Sequence, residues 1–208
     1  MTYNMEYLQK LLNELLALPE ETEWVEFKHN NDNPQEIGEN ISAIANSTAL
    51  MGKTHGYIVW GIEAATHSIL GTNFRPKAKK IGNEELENWL LRLLAPKINF
   101  SFYEINTKQG IVVLLEIDHA FRHPVQFKGI EYVRVGSYTK SLKEFPEKER
   151  QLWRIFDTTP FEDLCAVDNV DADTVLRLLD YPAYFDLLKQ PLPDNKQGII
   201  SRFLEDSM

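Results

Sequence analysis

The sequence predicts an α/β (α+β) fold, a mixed β-sheet flanked by helices, followed by a C-terminal helical extension. Three observations carry that expectation. Apolar residues recur at helical spacing near the N-terminus, a continuous apolar run between two glycines marks a buried strand, and two strand pairs joined by turn signals follow in the second half.

Each element has its own reason. Tyr7, Leu8, Leu11, Leu12, Leu15 and Leu16 line one face of a helix over residues 4–18, which ends before Pro19 because the residue ahead of a proline is pushed out of helical conformation. Trp24-Val-Glu-Phe27 reads as a short strand. Pro34 suits the first turn of a helix, where its missing N–H costs nothing, and Ile37, Ile41, Ile44 and Ala45 give that helix an apolar face up to about Asn46. Tyr57-Ile-Val-Trp60, between Gly56 and Gly61, is the buried central strand. Asn83-Glu-Glu85 opens a helix through Leu94, with acids at its positive end, and Pro96 closes it. Phe100 to Ile105 and Ile111 to Ile117 flank Thr107-Lys-Gln-Gly110, a hairpin turn. Pro124 to Phe127 and Ile130 to Val135 flank Lys128-Gly129, a second one. Alternation along the last strand sends Val133 and Val135 to the core and puts Tyr132 and Arg134 together on the other face.

This domain is expected to span residues 1–157, with a boundary at Thr158-Thr159-Pro160. Residues 158–208 read as an acidic helical extension leading into a further domain. Asp171 caps a helix start there, and Leu176, Leu179, Phe185 and Leu188 lie on short helices punctuated by Pro182, Pro191 and Pro193.

Composition limits the function classes. With 43% hydrophobic and 25% charged residues, a chain of 208 residues can bury a real core. A lone cysteine, Cys165, excludes an internal disulfide and a thiolate-rich metal site and suits a reducing, cytoplasmic setting. No apolar run approaches the roughly 20 residues that cross a bilayer, so no membrane partner is expected. The net charge of −9 argues at first against nucleic acid, because phosphate binding depends on Lys and Arg. The charge is uneven, however: residues 1–74 hold 3 Lys and Arg against 10 Asp and Glu, residues 75–154 hold 15 against 10, and residues 155–208 hold 4 against 11. The basic middle includes Arg75, Lys77, Lys79 and Lys80 in one loop, and Arg122, Lys128, Arg134, Lys140 and Lys143 around a strand pair. It is either a phosphate-binding patch or a solvated charged face.

Two blocks carry candidate chemistry. In Glu21-Thr-Glu-Trp-Val-Glu26-Phe-Lys28, Glu21 and Glu26 flank the start of a strand, and Glu63 follows the apolar strand that should pair nearby. Carboxylates converging at strand ends can hold Mg²⁺ or Mn²⁺, whose waters act on phosphodiesters, and Lys28 shares a face with Glu26 where it can neutralise a phosphate. The alternative is a solvated turn. In Tyr132-Val-Arg134-Val-Gly-Ser137, a ring and a guanidinium on one face suit bases and phosphates, and a cross-strand salt bridge is the competing reading. Gly52-Lys53-Thr54 imitates a phosphate-binding loop, but it lies between helix and strand in the wrong order. Asp118, His119 and His123 lack a third convergent ligand.

These two blocks, with Asn40-Ile-Ser-Ala-Ile-Ala-Asn46 and Gly56-Tyr-Ile-Val-Trp-Gly61-Ile-Glu63, resemble in order the Schlafen core family of Alba-like nucleic-acid-binding domains, over roughly residues 15–155. In the helix block, small Ser42, Ala43 and Ala45 allow close packing on the sheet and Asn46 can cap the helix end. The resemblance implies an Alba-like domain that binds DNA or RNA, as the N-terminal module of a transcriptional-regulator-like bacterial protein, with a homodimer as a further expectation. The candidate nucleic-acid contacts are Lys28, which shares a strand face with Glu26, Arg75, Lys77, Lys79, Lys80, Arg122, Lys128 and Lys140 of the basic middle, and Tyr132, Arg134 and Ser137 of the block that resembles the family's Tyr-x-Arg-x-Gly-Ser strand. In RNA-cleaving relatives the two acids and an aspartate after the glycine-bounded strand are the nuclease residues. The alternative reading is therefore an Mg- or Mn-dependent endoribonuclease using Glu21 and Glu26 as metal ligands, with Glu63 as third acid. Ala64 stands where the aspartate is expected, and Glu63, one residue earlier, points to the opposite face. A third alternative is a protein-interaction module.

Overall fold

The computed structural model describes residues 4–18, 22–158 and 171–206. The chain divides into two compact units, Thr2–Thr159 and Pro160–Met208. In chain order the first holds α1 (Met5–Leu16), β1 (Val25–Lys28), α2 (Pro34–Leu50), β2 (His55–Trp60), a 3-10 turn (Pro76–Ala78), β3 (Lys80–Ile81), β4 (Glu84–Glu85), α3 (Leu86–Leu93) and β5 (Leu94–Ala95). There follow β6 (Phe100–Thr107), β7 (Gly110–Asp118), β8 (Gln126–Phe127), β9 (Ile130–Val135), β10 (Tyr138–Ser141) and α4 (Pro146–Thr158). The second unit holds α5 (Ala172–Leu178), α6 (Tyr181–Leu187) and α7 (Lys196–Asp206). Cys165 lies outside the described residues. Among the described residues no helix is long and apolar enough to cross a membrane.

The first sheet has strand order β1-β2-β7-β6, with β1 parallel to β2 and the other pairs antiparallel. Both faces of this sheet are covered. Leu8, Leu12 and Leu15 of α1 pack over Val25, Phe27, Val59, Val112 and Leu114, each leucine adding about 2 kcal/mol by burial. On the opposite face Ile37, Ile41 and Ile44 of α2 pack over Ile58, Trp60, Leu115 and Ile117. Double coverage is why residues 57–60 read as unbroken apolar sequence. Helix α2 begins as Pro34 predicts, with Asn33 accepting a bond from the Gln35 amide at 3.0 Å. It lies close to its neighbours, because a Cβ on Gly38 would overlap the Phe127 ring and one on Gly56 would overlap Ile44 and Thr48.

The second sheet, β10-β9-β8-β5, is antiparallel throughout. Gln126 pairs with Glu131 and Phe127 with Ile130, so Val125 and Tyr132 would form the next rung. They do not, because α2 intervenes. The Asn46 amide donates to the carbonyls of Val125 (2.9 Å) and Tyr132 (2.8 Å), and its oxygen accepts from the Val125 amide (2.7 Å). The Ser42 hydroxyl donates to the Val125 carbonyl (2.7 Å) and accepts from the Tyr132 amide (3.0 Å), while Ser47 accepts from the Arg134 amide (2.9 Å). Buried side chains of a helix thus replace a strand partner, satisfying backbone groups that would be costly left bare.

Two expectations are corrected here. Asn46 does not cap α2, which continues to Leu50 because Ser47, Thr48 and Ala49 are also buried. The helix expected from Asn83 begins at Leu86, since Gly82, at φ +62°, turns β3 back on β4 and leaves Glu84 and Glu85 extended. Strand β10 and helix α4 were not anticipated. The second unit is helical as expected, with Asp171 accepting from the Thr174 amide at 2.8 Å and Asp180 from the Ala183 amide at 3.3 Å. Among its described residues only Phe185 and Ile199 are buried.

Candidate nucleic-acid interface

Strand β1 is in register with β2 so that Glu26 lies beside Ile58 and Lys28 beside Trp60. Both polar side chains therefore point to the α2 side of the sheet, while Val25 and Phe27 point to α1. Lys28 Nζ sits 3.1 Å from Glu26 Oε1, and the Arg134 guanidinium of β9 lies against Glu26 Oε2. Arg134 is 1% exposed, so the expected contact face at Tyr132 and Arg134 is closed at the guanidinium. Alternation along β9 holds, but both faces of the strand are covered: Val133 meets the core, and Arg134 meets β1. Arg134 Nη1 also donates to Thr139 Oγ1 (3.3 Å), whose hydroxyl donates to Asn40 Oδ1 (2.5 Å). Helix α2 thereby anchors the guanidinium through Asn40 and its backbone through Ser47.

That geometry bears directly on a divalent cation. Both oxygens of Glu26 already face a cation, so a metal would have to displace Lys28 and the buried Arg134. Glu63 lies past Gly61 in an exposed turn, where its amide donates to the Ser68 carbonyl (2.9 Å). Glu21 lies outside the described residues. Among the described residues no group of three or more His, Cys, Asp or Glu converges as a metal site. The described residues therefore do not fit the Mg²⁺ or Mn²⁺ that the nuclease reading requires. Asp118 faces His55 at 3.4 Å and accepts from Asn99 at 3.0 Å, and His119 contacts the Thr54 carbonyl at 3.1 Å.

The remaining basic residues divide sharply by environment. Arg75 folds back on the carbonyls of Thr72 (2.9 Å) and Phe74 (2.7 Å), and Lys79 pairs with Asp32 at 2.5 Å. Lys128 donates to Gln35 at 2.6 Å and lies 5.1 Å from the centre of the Trp89 ring. Lys77 and Lys80 are exposed, and Arg122 lies 5.3 Å from the centre of the Phe121 ring. Tyr132 is half-buried with its hydroxyl 3.4 Å from Glu39; burial and the Glu39 charge raise its pKa. Ser137 is exposed in the β9–β10 turn and Lys140 is exposed on the edge strand β10.

Around the β9–β10 turn the structure assembles a group of which sequence reading named only Lys140 as a contact. Glu23 accepts from Lys148 of α4 (2.9 and 2.8 Å) and from the Gly136 amide (3.4 Å), tying together the segment before β1, the hairpin turn and α4. Trp24 follows Glu23, with Lys53 Nζ 4.3 Å from its ring centre. Tyr138, two residues past Gly136, is 69% exposed, with Lys140 Nζ 5.7 Å from its ring centre. The signal available in sequence was the alternation Tyr138-Thr-Lys140, which places ring and ammonium on one face of a strand.

Of the solved structures, the crystal structure of the DIP2311 protein from Corynebacterium diphtheriae is similar at 17% identity and a TM-score of 0.43, over 70% of this chain. The chain spans 28% of that protein's length. The N-terminal domain of a RecG-related protein from Nitrosomonas europaea is similar at 20% identity and a TM-score of 0.41, over 63% of this chain and 90% of that one. None of the curated proteins matches. The family model described as Schlafen, AlbA_2 matches residues 21–143, more than half of the chain and all of the Glu26, Arg134 and α2 blocks. The chain belongs to the Schlafen, AlbA_2 family.

Proposed function

We propose that the first unit is a nucleic-acid-binding module that holds phosphates without cutting them, and that its contact surface lies at the β9–β10 turn. The carrying observation is two exposed ammonium groups, Lys140 just past the turn and Lys53 over the ring of Trp24, the residue after Glu23, while Glu23 itself, which fastens the turn, is neutralised by Lys148. Exposed lysines release counterions when they meet phosphates, whereas Arg134, Lys28 and Lys79 are engaged in ion pairs within the fold. The family association with nucleic acid supports the same partner. Binding is favoured over cleavage because Glu26, the acid best placed to ligate a metal, is compensated on both oxygens.

Fluorescence anisotropy with labelled DNA and RNA oligonucleotides across a salt series tests the reading. The wild type should bind at low salt and weaken steeply as salt rises. The Lys53→Glu/Lys140→Glu protein should bind more weakly and lose about one unit of salt slope per lysine. Folded protein that binds neither polymer at low salt, or a double variant with unchanged affinity, overturns it.

A further inference from the structure

We infer that the polymer this surface takes is single-stranded, with an unpaired base stacked on Tyr138. The inference rests on the phosphate-binding reading above and adds the state of the bases. Tyr138 stands just past the turn with Lys140 Nζ 5.7 Å from its ring centre, whereas Trp24 is half-buried against the α1-side core with Lys53 Nζ 4.3 Å over its ring and is not offered for stacking. A ring beside a cation matches the repeating unit of a single strand, a flat base next to a phosphate. A surface built only for duplex backbone needs the cations and gains nothing from the ring, because paired bases keep their faces stacked inside the helix.

The alternative is a two-stranded ribbon pushed into a major groove about 12 Å wide. The β9–β10 hairpin is not free to do this. Its turn is fastened to Glu23 through the Gly136 amide, and Val133 and Arg134 of β9 are buried on opposite faces. What the hairpin offers outward is its edge strand, where Tyr138 is 69% exposed. Among the described residues, no large apolar residue outside the second unit is more exposed. A side chain that exposed contributes little to the core, so burial does not account for a tyrosine at this position.

Competition anisotropy between a single-stranded oligonucleotide and a blunt duplex of the same sequence reads the inference directly, with Tyr138→Ala and Tyr138→Phe beside the wild type. The single strand should bind about tenfold or more tightly than the duplex, and Tyr138→Ala should lose about tenfold on the single strand alone. Tyr138→Phe, which keeps the ring, should retain wild-type affinity. Circular dichroism confirms that each variant is folded. Equal or tighter binding to duplex, or a neutral Tyr138→Ala in a protein that still depends on Lys53 and Lys140, sinks this inference and leaves the phosphate-binding reading standing. Failure to bind either polymer sinks both.

Discussion

At Glu26 one oxygen meets Lys28 at 3.1 Å and the other meets a guanidinium that is 1% exposed. Removing one member of such a buried pair leaves the other charged in a low-dielectric setting. Arg134→Met should therefore lower stability by about 3 kcal/mol in urea unfolding, and Glu26→Gln in the same protein should recover part of the loss. A single-variant change within about 0.5 kcal/mol would show that the pair is poorly desolvated. Glu131 gives a pH-dependent counterpart. Burial, and then the charge of Glu149, raise its pKa, so its ionised form is disfavoured in the folded state. A raised carboxyl contributes stability that is present below its unfolded pKa and lost as pH climbs through the folded one. Glu131→Gln should accordingly raise the melting temperature at neutral pH and leave it unchanged in acid. An identical gain at both pH values would rule out titration as the cause. At this scale sequence supplied the residue types and the face-sharing of Glu26 with Lys28, but not their partner. The span from residue 26 to residue 134 is closed by tertiary structure, which spacing along one strand does not encode.

Helix α2 is legible as an element and illegible as a device. Pro34 and the isoleucine stripe locate it, and small Ser42, Ala43 and Ala45 announce close packing. Nothing local says that Ser42, Asn46 and Ser47 will take over the hydrogen bonds of β9. Asn46→Ala should cost about 2–3 kcal/mol, since it strips partners from two carbonyls and an amide at once. Asn46→Asp should not restore it, because a carboxylate has no N–H for the carbonyls of Val125 and Tyr132. Rescue by Asp would mean that only the Val125 amide matters. The two missed elements have plain reasons. Strand β10 is four residues, Tyr-Thr-Lys-Ser, with no apolar alternation, and exists because β9 offers it a register. Helix α4 has six charged residues among its thirteen and, among its described side chains, buries only Leu152 and Phe156.

For the whole molecule, the charge count located the basic third of the chain but overstated what it presents to solvent. Lys79, Arg134 and Lys148 reach back to Asp32, Glu26 and Glu23 in the acidic N-terminal third, so much of the apparent surplus is cancelled inside the fold. The two units also differ in how much they bury. With only Phe185 and Ile199 buried among its described residues, the second unit should exchange its amide hydrogens far faster than α2 or β7; equal protection in both would contradict that. The clasp between α2 and β9 has a kinetic side as well. Its bonds join residues 79, 87 and 90 positions apart, so closing them requires ordering a long intervening loop. Such contacts form after the nearer pairings, β6 with β7 across a tight turn first among them. In stopped-flow chevrons, Asn46→Ala should leave the refolding arm almost in place and steepen the rate of unfolding, making the asparagine a latch that governs how long the native state lasts once reached.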